Sequence, residues 1–119
     1  MNDGDGAVDP GALDRLLEMT GGDPDFVDEL VQTYLDDAAS QLEAMREAAD
    51  SGSPEAMIRP AHSLKSNSSN VGADRLAELC RTLEADARSG TLAQAAARVA
   101  EATAEFGQVR TALGKLRSG

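Results

Sequence analysis

Tryptophan is absent from this 119-residue chain, and its ring residues amount to one tyrosine and two phenylalanines. A core without large rings has to be assembled from Leu, Val, Ala and Met, as helix bundles assemble theirs. Cys80 is the single cysteine, which excludes an internal disulfide and a cysteine-rich metal site. Set among leucines, it reads as a small buried apolar residue rather than a reactive thiol. No apolar run approaches the ~18 residues that a membrane-spanning helix needs. The opening Met1-Asn2-Asp3-Gly4-Asp5-Gly6 lacks the basic start and apolar stretch of a signal peptide. Positive charge is scarce. Eleven bases against 21 acids give a net charge of −10, which argues against a nucleic-acid surface and against an anionic membrane as partner. These absences point to a cytoplasmic, acid-shelled protein, most simply a monomer. Its glycines stand singly or in pairs at helix ends, so no phosphate-cradling loop of a nucleotide-using kinase is present.

What is there is helical periodicity. Asp9-Pro10 is a helix start, followed by an apolar stripe of Leu13, Leu16 and Leu17 and a stop at Gly21-Gly22. Asp23-Pro24 repeats the signal. From there Val27, Leu30, Val31, Tyr34, Leu35, Ala38, Leu42 and Met45 recur at three-and-four spacing as far as about Asp50, before Ser51-Gly52. Ser53-Pro54 opens a third helix that carries Met57, His62, Leu64 and Val71, and Pro60 within it predicts a kink or break near residue 59. Gly72 is a left-handed terminator in this reading. Leu76, Leu79, Cys80 and Leu83 face inward on a fourth helix, closed by Ser89-Gly90. Thr91 with Gln94 reads as a capping box for a fifth, whose stripe is Leu92, Val99, Phe106, Val109, Leu113 and Leu116. No segment alternates as a strand would. Short loops between long amphipathic helices predict an all-α, up-and-down antiparallel four-helix bundle with the short first helix as a lid. Residues 1–8 would be a flexible N-terminus and residues 9–118 the bundle.

The third helix holds the chemistry. At 100° per residue, Leu64 and Val71 project opposite His62, as does Met57 if the helix is continuous. Those apolar residues must face the core, so His62, the sole histidine, points to solvent with Lys65, Ser66 and Ser69 on its own face. Imidazole is a good nucleophile near neutral pH and can take a phosphoryl group from an acyl phosphate. Lys65, one turn on, offers a cation to that group, and small residues at 66 and 69 leave room for a partner's backbone. A single imidazole without cysteine or a second histidine is a poor transition-metal site. A serine-type triad lacks an oxyanion hole here.

The block Ala61-His62-Ser63-Leu64-Lys65-Ser66-Asn67-Ser68-Ser69-Asn70-Val71-Gly72-Ala73 resembles the signature of the histidine phosphotransfer (HPt) domains of two-component phosphorelays. Leu76, Leu79-Cys80 and Leu83-Glu84 resemble the family's next helix, and Leu16-Leu17, Gly21-Gly22-Asp23 and Phe26 its entry. The similarity runs from about residue 13 to 90 and is strongest at 61–84. It implies a four-helix bundle whose exposed His62 is phosphorylated through Nε2, with Lys65 assisting electrostatically and Glu84 orienting the other ring nitrogen. Ser66 stands where the family most often has glycine, and Ser66 and Ser69 would form the docking face. The implied partners are receiver domains of response regulators or hybrid histidine kinases. No cofactor would be bound by this chain, since the Mg²⁺ belongs to the receiver's acidic pocket. The implied role is a free-standing phosphocarrier without autokinase activity. Two alternatives are a helical interaction scaffold with an incidental His62, and the phosphoacceptor domain of a chemotaxis-type kinase.

Overall fold

The computed structural model describes residues 6–118. Five helices follow one another: α1 Gly11–Met19, α2 Pro24–Ser51, α3 Pro54–Asn70, α4 Asp74–Arg88 and α5 Ala95–Ser118. Among the described residues there is no strand. Two of the start signals work as read. Asp23 accepts hydrogen bonds from the amides of Asp25 and Phe26, and Ser53 accepts one from Ala56, each with proline just inside the helix. Asp9 accepts from Gly11 N–H at the start of α1.

The helices α2, α3, α4 and α5 close a ring, each packing against the next and α5 returning to α2. The buried parts of these four helices' apolar stripes meet inside it. Val31, Met45, Met57, Leu64, Leu76, Leu83, Val109 and Leu113 are each at most 1% exposed. The rings of Tyr34 and Phe106 meet edge-on, with centroids 6.3 Å apart. Cys80 is fully buried, and burial pushes its thiol up to about 12, so it serves as packing rather than as a nucleophile. α1 lies on α2 and is pinned to the α3–α4 turn, where the Asp9 amide donates to the Gly72 carbonyl at 2.9 Å.

Three expectations are corrected. The break allowed for near residue 59 does not occur, since α3 is one helix from Pro54 to Asn70 with Pro60 inside it. The proline sits in the second turn, where its fixed φ suits the helix, only the Ala56 carbonyl loses its intrahelical donor, and the ring is buried in exchange. The capping box at Thr91 does not form. Its hydroxyl accepts from the Ala93 amide two residues on, and α5 begins only at Ala95. Leu30 and Leu116, read as part of the apolar stripes of α2 and α5, are 36% and 37% exposed at the edges. Of the expected flexible N-terminus, residues 1–5 lie outside the described residues, while Ala7 and Val8 are buried in the core.

Candidate functional site

α3 delivers His62 to the surface because Met57, Ala61 and Leu64 on its other face are completely buried. The imidazole is 53% exposed and its Nδ1 lies 2.9 Å from Glu84 Oε2 on α4. Among the described residues Glu84 is the one buried acid, its side chain only 7% exposed. Three groups surround it. Lys65 Nζ is 2.8 Å from Oε1, while Arg88 Nε and Nη2 donate to Oε2 at 2.9 and 2.8 Å. Burial alone would raise the carboxyl's pKa. The hydrogen bonds from Lys65, Arg88 and His62 outweigh it and hold the group down to about 2. Glu84 is therefore a carboxylate throughout the physiological range, and a carboxylate can only accept. The proton of a neutral His62 then belongs on Nδ1, and the lone pair on Nε2.

The sequence-predicted residues are thus sorted by the structure into two groups. His62, Lys65 and Glu84 converge in one cluster. Ser66 and Ser69 are exposed beside it and line a cleft of about 400 Å³ between α3 and α4, together with Lys65, Asn70, Ala77, Glu78 and Arg81. Lys65 is 28% exposed and already engaged with Glu84, rather than standing free toward an incoming anion. Arg88 was not singled out by the sequence. Its only signal there is its place four residues after Glu84, a spacing that helix surfaces repeat everywhere. Ser68, in the motif but without an assigned role, is fully buried and shares a 2.9 Å hydrogen bond with the Tyr34 hydroxyl, tying α3 to α2.

Among the described residues no group of three or more His, Cys, Asp or Glu side chains is placed to hold a metal ion, and no helix is long and apolar enough to cross a membrane. An exposed nucleophilic nitrogen backed by a buried carboxylate is an arrangement suited to covalent carriage of a group rather than to enclosing a substrate.

Comparison with known proteins agrees with that reading. The Hpt domain family matches residues 29–119, extending the likeness across α5, beyond the motif itself. The crystal structure of histidine-containing phosphotransfer protein B (HptB) from Pseudomonas aeruginosa PAO1 superposes with a TM-score of 0.87. It is 32% identical and the match covers 96% of each chain. No curated protein matches the sequence. With an all-helical bundle that presents its one histidine on the motif-bearing helix, the chain belongs to the Hpt domain family, the histidine phosphotransfer proteins of phosphorelays.

Proposed function

We propose that His62 Nε2 is the atom that carries the phosphoryl group, accepting it from a receiver-domain aspartate or a histidine kinase and passing it to a response-regulator aspartate. The observation that carries this reading is the 2.9 Å contact between Nδ1 and the buried Glu84, which commits the ring's proton to the inner nitrogen. In the inbound step the Nε2 lone pair forms the N–P bond. The bond from phosphorus to the aspartyl oxygen breaks, and its electron pair returns to the carboxylate. The outbound step is the reverse, with the pair returning to Nε2.

The chain brings no metal to either step. The receiver's acids would hold a Mg²⁺ that offsets the charge of the transferring phosphoryl group, as in phosphoryl transfer generally. Lys65 divides its charge between Glu84 and the phosphoryl oxygens, and Glu84 orients the ring. Ser66 and Ser69 give the receiver a shallow surface to approach. The protein is a cytoplasmic monomer and a carrier with no autokinase activity of its own.

Phosphotransfer from a labelled, phosphorylated receiver domain in the presence of Mg²⁺ tests this, comparing wild type with His62→Gln. An acid-labile, alkali-stable label on wild type alone is the expected result. Wild-type protein that is folded and helical yet takes no label from any receiver or kinase of its own cell would sink it.

A further inference from the structure

Glu84 Oε2 is shared. His62 Nδ1 reaches it at 2.9 Å, and so do Arg88 Nε at 2.9 Å and Arg88 Nη2 at 2.8 Å. A carboxylate oxygen offers about two lone pairs, so imidazole and guanidinium draw on the same electron density. The other oxygen faces Lys65 Nζ at 2.8 Å. One buried anion thus holds two permanent cations before the imidazole ionises. Each further donor on that carboxylate weakens its hold on the others. The charged neighbours are accounted for element by element. His62 and Lys65 come from α3 and Arg88 from α4 itself, while α5 directs Arg98 to Asp86 and Glu105 to Arg75. On α2, Arg46 pairs with Glu43 and Asp50.

Resting on the reading of His62 as the carrier, we propose that Arg88 is a positioning residue: by sharing Oε2 it keeps Glu84 an orienting acceptor for Nδ1–H while weakening its pull on that proton. Two consequences follow for the transfer. The ring's proton is held on Nδ1, so the Nε2 lone pair is available for the inbound attack. When the N–P bond later breaks, the electron pair returns to Nε2 while the proton remains on Nδ1. The leaving group is then neutral imidazole rather than its anion. A Glu84 free to take that proton would leave the phosphoryl group on a poorer leaving group.

Arg88 also sits in the last turn of α4, where any cation favours the helix dipole. The test must therefore read the ring itself. In Arg88→Gln, ¹⁵N NMR at pH 7 should show the doubly protonated imidazole increased by roughly threefold, a modest value because the guanidinium is half exposed. The acid limb of the phosphoacceptance rate should move to higher pH. Arg88→Lys should stay near wild type, and Glu84→Gln/Arg88→Gln should match Glu84→Gln alone. Unchanged ring protonation in Arg88→Gln, with only a lower melting temperature, would overturn the proposal and leave Arg88 as a helix-end residue. The NMR measurement needs no phosphate donor. It decides the role of Arg88 even if no label reaches His62, a result that would instead count against the carrier reading.

Discussion

Glu84 is a carboxylate only 7% exposed and ringed by donors, and its ionisation is felt by the whole fold. Glu84 is held down to about 2 from an ordinary 4.5, so its contribution to stability is complete above pH 4.5 and is lost as pH falls toward 2. The size is about 3 kcal/mol. Melting temperatures between pH 6 and 2 should show this acid limb in wild type and a flatter one in Glu84→Gln; parallel curves would refute it. At this scale the sequence was half legible. His62 could be placed on the solvent face from helical spacing alone, because Met57 and Leu64 opposite it had to be buried. Glu84 came from likeness to the family, and in the structure it lies 2.9 Å from the His62 Nδ1. Arg88 was illegible because a Glu–Arg pair four residues apart matters only when its acid is buried, and burial is a property of the packed molecule.

At the scale of elements, the α3–α4 turn does more than end a helix. Gly72 has φ +78°, and a Cβ built there would lie 2.5 Å from the Cβ of Ala12 on α1. Gly52 has a similar φ of +68°, but a Cβ on it would meet open space. Gly52→Ala should cost about 1 kcal/mol for backbone strain alone. Gly72→Ala should cost at least twice as much, since α1 must also retreat. Urea titration of the two variants checks the difference, and equal losses would show that the contact with Ala12 is unimportant. The helix starts at Asp23-Pro24 and Ser53-Pro54 were readable because cap and proline act locally. Thr91 and Pro60 misled for one shared reason. Their local signals were real, but a competing hydroxyl–amide turn won at Thr91 and burial of the ring won at Pro60.

The whole molecule carries a formal net charge of −10, which favours solubility at the expense of self-repulsion in the folded state. Raising salt from about 10 mM to about 300 mM shortens the screening length from roughly 30 Å to under 10 Å. The melting temperature at pH 7 should rise by several degrees on that change, and a fall would mean that ion pairs outweigh repulsion. The architecture was readable at this scale because four long stripes with short connections admit few arrangements. Tyr34 offers a last consequence, an optical one. It is the sole tyrosine in a chain without tryptophan, buried against Phe106 and hydrogen-bonded to Ser68 on the helix that bears His62. Its burial pushes the phenol up to about 12, so in alkali the fold keeps this source of stability below pH 10 and surrenders it on the way to 12. The near-ultraviolet spectrum of the protein is therefore dominated by one chromophore at the α2–α3 seam, a native reporter that needs no dye. Its absorbance and emission would track, on the same molecule, both the opening of the bundle and any strain sent down α3 when the histidine is loaded.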